Sequence, residues 1–179
     1  VERLERLADP TSGLLADGVS PEHGWGMARR RNFAETLDER SIEGELARAL
    51  WSEAIERIAG SPHYGGLRIE PQLGLVPLGP DPRSGLHEFA HLASGEPATR
   101  GKDGNLVTGE ETGLVLVLLP GGRFGMGAQS MLPDAPFYDP EPYLGDSLHE
   151  VQLSPFFLSK YEMTQAQWMR AAGHNPSLR

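Results

Sequence analysis

GLVLVLLPGGRFGMGAQ, residues 113–129, contains the most hydrophobic run of the chain and the turn that halts it. The run is short, carries β-branched valine at 115 and 117, and stops at Pro120-Gly121-Gly122. A helix of useful stability needs ten residues or more, so these features predict a buried strand followed by a tight glycine-rich turn. A strand buried on both faces cannot stand alone, so the flanking sequence has to supply its neighbours and its cover.

Downstream, HEVQLSPFFLSKY (149–161) alternates apolar residues at Val151, Leu153, Phe156 and Leu158 and is interrupted once, by Pro155. This predicts a second strand. Thr164 then stands where an N-cap belongs, before a helix QAQWMRAAG that Gly173 ends. Upstream, residues 62–111 are punctuated by glycine and proline. The pieces GLRIEP (66–71) and GLVPLG (74–79) between them predict short strands. Before residue 62 the pattern changes again: Phe33, Leu37, Ile42, Leu46, Leu50, Ala54, Ile55 and Ile58 recur at helical steps. Two helices are expected, about 27–39 and 41–59, with Ser41 as the N-cap of the second and Gly60-Ser61-Pro62 as its stop. Their stripe, with Phe33 and Trp51, is expected to pack on the β-rich part, since the heptads do not persist as a coiled coil requires. Residues 1–24 are a linker or capping loop.

Composition narrows the function. The 179 residues hold 25 acidic and 16 basic side chains, a formal charge of −9, which disfavours nucleic acid as a partner. Arg29-Arg30-Arg31 is a short basic run of the kind found on a solvated helix face. There is no cysteine, so disulfides, thiolate metal sites and thiol nucleophiles within this chain are excluded. No apolar run approaches the length of a membrane span, and VERLERLADP does not resemble a signal peptide; the expectation is a cytoplasmic protein without a membrane partner.

One catalytic-looking motif is present. In SGLHEFAHLASGE (84–96), His87, Glu88 and His91 have the spacing H-E-x-x-H, which on a helix offers two imidazoles to a zinc ion and a carboxylate to its water. Between Gly85 and Gly95 there is room for only about two and a half turns. The extended zinc motif is not met either, because Ser94 and Pro97 stand where it has glycine and histidine. Glu110 or Glu111 could serve as a third ligand, but TGEETG reads as a turn. The alternative is a short helix in which Leu86, Phe89 and Leu92 pack inward while His87, Glu88 and His91 are partly exposed or hydrogen-bonded. Asp134, Asp139, Glu141 and Asp146 form an acidic, proline-interrupted loop without EF-hand spacing, which reads as a solvated loop.

The order of these elements is specific. LLPGGRFGMGAQ, the acidic loop, LHEVQLSPFFLSKYEMTQAQWMRA and HNPS together resemble the opening of the formylglycine-generating enzyme (FGE-sulfatase) family domain. The resemblance rests on Phe124, Met126, Gly127, His149, Val151, Leu153, Tyr161, Glu162 and Thr164. It implies an α+β fold of C-type-lectin-like topology, rich in irregular loops, of which residues 112–179 are the first part. Phe124, Met126, Gly127, His149, Glu162 and Thr164 are then structural motif residues, with His149 a strand-edge histidine bonded to backbone. The family's calcium site and copper-binding cysteine pair lie in the continuation, so no cofactor is expected here. Residues 62–111, with the helical segment in 1–61 ahead of them, are similar to the connector that precedes this domain in large bacterial serine/threonine-kinase fusions. At the position of His87 such connectors more often have tryptophan. No kinase motif is present in this chain.

Three functions follow as expectations. The first is a non-catalytic sensor or interaction segment of a modular bacterial signalling protein. The second is part of an FGE-type oxidase whose catalytic residues lie elsewhere. The third is an H-E-x-x-H zinc hydrolase. The resemblance covers only part of a domain, so the remainder of the polypeptide or another protein chain is expected to complete it. Arg179 would suit a protease that cuts after a basic residue.

Overall fold

The computed structural model describes residues 2–10, 13–15, 19–20, 24–143, 145–174 and 177. Arg179 and the Asn175-Pro176 part of the HNPS motif lie outside the described residues. In chain order the elements begin with α1 (Glu2–Leu7), β1 (Val19–Ser20), β2 (Gly24–Trp25), α2 (Met27–Asp38), a π-helical turn (Glu39–Glu43) and α3 (Glu45–Gly60). A 3₁₀ turn at Pro62–Tyr64 leads to β3 (Leu75–Pro80), β4 (His87–His91), β5 (Thr99–Arg100), β6 (Leu106–Val107) and β7 (Val115–Leu119). The chain ends with β8 (Gly122–Met126), β9 (His149–Leu153), β10 (Phe156–Ser159) and α4 (Gln165–Ala172). The fold is therefore α+β. No described helix is long and apolar enough to cross a membrane.

Contacts divide these elements into two units, Val1–Leu118 with Phe157–Arg179, and Leu119–Phe156. The larger unit is built on a four-stranded sheet in the order β10-β7-β4-β3. Helix α3 covers it with Trp51, Ala54 and Ile58, whose spacing of three and four puts them on one stripe. Against that stripe lie Tyr64, Leu75, Phe89 and Leu118. Trp51 and Phe89 meet at 5.5 Å between ring centroids, and Phe157 stands edge-on to Phe89 at 5.1 Å. Truncating a buried Trp or Phe to Ala at such a contact costs about 3–5 kcal/mol. Phe33 is only half-buried, and packs its ring on Trp25 at 5.7 Å.

The helix pair is divided at Ser41 and Gly44 as expected, but the start of the second helix falls on Gly44. Ser41 is not an N-cap. It sits inside the π turn, where its hydroxyl donates to the Leu37 carbonyl and its own carbonyl accepts from Trp51 Nε1 at 2.7 Å. Gly44 begins α3 instead, because a side chain there would run into the Glu39 carbonyl.

LHEFAHL departs furthest from expectation. It is not a helix: His87–His91 is β4, an inner strand paired antiparallel with β3 on one side and β7 on the other. Of its polar residues His87 and Glu88 are buried and His91 is half-buried, and Glu88 and His91 are hydrogen-bonded, as the alternative to a zinc site expected. The neighbouring strands saturate its backbone, an advantage that two helical turns between glycines cannot match. GLRIEP forms no ladder either; Leu67 and Ile69 pack side chains against the core while the backbone stays irregular. The expected single strand at 149–161 is two, β9 and β10, in different sheets, parted at Ser154-Pro155.

The smaller unit consists of the antiparallel pair β8 and β9 and the loop between them. Its register sets Gly122 opposite Leu153, Phe124 opposite Val151 and Met126 opposite His149.

Candidate functional site

Alternation along β4 places His87, Phe89 and His91 on one face and Glu88 and Ala90 on the other. Four residues of strand span about 13 Å, so the two imidazoles of the H-E-x-x-H spacing cannot converge on one ion. Glu88 points away from both and is fully buried. Its Oε1 accepts from Lys160 Nζ and its Oε2 from Arg100 Nη2 at 2.6 Å, so both oxygens that a zinc-bound water would need are taken. Glu111, a candidate third ligand, instead faces Arg29 and Arg170 at 3.5 and 3.6 Å, and the Glu110 carbonyl accepts from Arg170. Among the described residues no group of three His, Asp or Glu could hold a metal ion.

What the strand builds instead is a buried ionic cluster. A register shift between Pro77 and Gly79 sets Gly79 opposite Glu88. Arg100 spans this irregular edge, donating to the carbonyls of Leu78, Gly79 and Gly104 as well as to Glu88. Lys160, just past β10, joins Glu88 to Asp81 at 3.0 Å, and the other Asp81 oxygen accepts from the Ser84 amide and hydroxyl at 2.9 and 2.8 Å. Two carboxylates thus face two cations with nearly every donor used, the condition under which a buried charge network is tolerated.

The cluster borders a recess of about 370 Å³ lined by Asp81, Arg83, Ser84 and Lys160. Its electrostatics do not favour nucleophilic chemistry. Burial opposes the Asp81 charge, but hydrogen bonds from Lys160 and Ser84 outweigh it and hold the carboxyl well below its usual range. Burial likewise opposes the Lys160 charge, and Glu88 and Asp81 outweigh it, keeping the amine protonated. Ser84 therefore donates to a carboxylate too weakly basic to activate it, and Lys160 has no lone pair to offer. The arrangement is a structural lock.

The histidines are tied into the same sheet. The His87 amide donates to Tyr64 Oη, which donates on to the Leu118 carbonyl. Burial, with Arg57 second, pulls the His87 imidazole below its ordinary value, and burial does the same at His91. Ser94 Oγ gives its proton to the His91 carbonyl and accepts from the Leu114 amide, so the 3.1 Å contact with His91 Nδ1 requires the proton on that nitrogen.

In the smaller unit the register gathers five of the motif residues. Phe124 and Met126 point to one face of the hairpin with Val151, Leu153 and His149. Phe124, Met126 and Leu153 remain 45%, 50% and 40% exposed. The opposite face carries the Arg123–Glu150 pair and is backed at Gly125 by Phe137 and Leu148. Gly127 turns the chain at φ +98°, and His149 Nδ1 lies 2.8 Å from the Ser147 carbonyl, as expected of a histidine bonded to backbone. Gln129 holds the loop, accepting from the amides of Met131 and Leu132 and donating to the carbonyls of Leu132 and Pro136. Glu162 and Thr164 belong to the larger unit. Glu162 is exposed, and Thr164 forms a complete capping box with Gln167.

Sequence reasoning missed Asp81, Arg100, Lys160 and Gln129. Only Asp81 had a local signal, the turn sequence Pro80-Asp81-Pro82-Arg83-Ser84-Gly85.

Residues 105–177 match the model of the FGE-sulfatase family, described as the sulfatase-modifying factor enzyme 1-like domain. No curated protein and no solved structure matches the chain significantly.

Proposed function

We propose that the chain is a non-catalytic interaction segment of a modular signalling protein, in which the FGE-like part docks a complementary protein surface through one face of its β8–β9 hairpin. The observation that carries this reading is the sidedness of that hairpin. Every large side chain on one face is apolar or imidazole, and Phe124, Met126 and Leu153 lie open, while the other face is polar, with Arg123, Glu150 and Gln152, and is backed at Gly125 by Phe137 and Leu148. A two-stranded hairpin is marginal in water by itself, and an apolar face of this kind gains stability only when something covers it. The cover is either further sequence of the same polypeptide or a second protein. The larger unit supports the non-catalytic part, since its one catalytic-looking motif is spent on a strand and an ion cluster. The missing cysteines remove thiol chemistry from the chain itself.

A photo-crosslinking amino acid placed at 124, on the apolar face, or at 123, on the charged face, tests the docking reading in cells that make the protein. Adducts from 124 that are absent from 123 are expected. Equal yields from both, or none from either, refute the docking face. Oxidation of a cysteine-containing peptide by the purified chain would refute the non-catalytic assignment.

A further inference from the structure

A groove of about 720 Å³ runs along the outside of α3, within the larger unit and outside the residues that match the family model. Leu46, Ala49 and Leu50 of α3, with Val76, Leu92 and Pro97, give it an apolar lining. Leu46 is 72% exposed at its rim, although it is a leucine on a helix whose inner stripe, Ala47, Trp51, Ala54 and Ile58, is fully occupied. Leu46, Ala49 and Leu50 are three and four residues apart, so they form a second, outer strip along the helix axis.

The π turn lines one end of this groove with Glu39 and Arg40. It widens the chain just before α3, and Gly44 brings the helix start against the Glu39 carbonyl. The charges at that end are unbalanced. Arg40 is engaged by Glu96 at 2.7 Å, and Glu43 by Arg48. Among the described residues the carboxylates of Glu39 and Glu45, both lining the groove, have no ion-pair or hydrogen-bond partner. An apolar floor with two unmatched carboxylates is complementary to apolar side chains flanked by lysine or arginine. A strip that follows a helix axis takes anchors at i, i+3 and i+4 of an amphipathic segment.

We propose that this groove is a docking site for a basic amphipathic segment of a partner protein, its leucine-type side chains on Leu46, Ala49 and Leu50 and its cations at Glu39 and Glu45. The site is independent of the hairpin face described above and draws on different residues.

Two fluorescein-labelled synthetic peptides test it by anisotropy: one with leucines at i, i+3, i+4 and i+7 among lysines, and its counterpart with glutamates for the lysines. The lysine peptide is expected to bind at least tenfold more tightly than the glutamate peptide. Leu46→Asp should weaken it at least tenfold, whereas Leu73→Asp, at a 57% exposed position outside the groove, should not. This contrast separates groove binding from attraction to an acidic chain, because both variants add the same negative charge. The double variant Glu39→Lys/Glu45→Lys should reverse the peptide preference. It also keeps the proposal testable if Leu46→Asp disturbs α3 by circular dichroism. Equal binding of both peptides, equal effects of Leu46→Asp and Leu73→Asp, or no binding of the lysine peptide at millimolar concentration would overturn the site. So would sedimentation showing a dimer of the free chain that Leu46→Asp dissolves, since the occupant would then be a second copy.

Discussion

Lys160 and Glu88 are separated by 72 residues of sequence, and the lysine ammonium closes on a carboxylate that has no exposed surface. Arg100 holds the other oxygen of Glu88. Removing the carboxylate leaves Arg100 without its acidic partner and Lys160 with Asp81 alone, and breaking a buried pair from one side costs about 3–5 kcal/mol. Glu88→Leu is expected to lose stability of that order in urea denaturation, and Lys160→Met a smaller amount. The double variant should lose less than the sum by about 0.5–3 kcal/mol, the coupling of residues that share one network. Strict additivity would show that the two side chains do not act together.

Acid should lower the stability of the protein in two pH windows. The His87 and His91 imidazoles are depressed below their ordinary 6.5, chiefly by burial. A depressed folded value means that the unfolded chain binds more protons as pH falls. Stabilisation from both is complete above about 6.5 and is lost as pH drops below it. Asp81 adds a second loss. Its carboxyl is held below its ordinary 3.8 despite the opposing effect of burial, so its contribution is present above about 4 and disappears below. Urea midpoints measured from pH 8 to pH 3 should fall in both windows. His87→Leu should make the slope just below pH 6.5 shallower without touching the lower window; an unchanged upper slope would count against a neutral, buried His87.

Helix α4 depends on its first turn. Thr164 Oγ1 accepts from the Gln167 amide at 3.2 Å, the Gln167 side chain returns to the Thr164 amide at 3.0 Å, and Gln167 Nε2 also reaches the Thr112 carbonyl. Thr164→Ala should cost about 0.5–2 kcal/mol and Thr164→Asp much less, because aspartate still caps. Amide exchange over 165–168 is the measurement. Equal protection in both variants would mean that Arg170, buried and bonded to the carbonyls of Ser94 and Glu110, anchors the helix without help from the cap.

The parts of this molecule that were legible in its sequence are those with local causes. The stripe of α3, the valine run of β7, and Thr164 and Gly173 at the two ends of α4 each follow from residues within a turn or two. LHEFAHL was not legible, because positions i and i+4 share a face on a helix and on a strand alike. Only its pairing with β3 and β7, distant in sequence, decides between them. The ion cluster was hidden for a related reason. Asp81, Glu88, Arg100 and Lys160 come from four segments, and a charged side chain considered singly belongs on the surface. The hairpin motif was legible as residues but not as a surface, since exposure of Phe124 and Met126 depends on what covers them.

Gly127 tests whether the motif's glycine is structural. Its φ of +98° is outside the range that an L side chain adopts without strain, and a Cβ there would lie 2.5 Å from the Ser147 carbonyl oxygen and 2.8 Å from that of Asp146. These are backbone atoms and cannot swing aside like a side chain. The close approach is held by hydrogen bonds from the Ala128 amide to Asp146 and from the Leu148 amide to Ala128, at 2.7 and 3.1 Å. Gly127→Ala must therefore part the two segments or strain the turn, at a cost of about 1–3 kcal/mol. Exchange of the Ala128 and Leu148 amides should accelerate about tenfold or more, since each 1.4 kcal/mol of local opening is a factor of ten. Gly122→Ala is the control, because its Cβ would meet open space. If the two variants exchange alike, the tight turn is not what holds the motif together, and the geometry of Gly127 carries no structural weight in the hairpin.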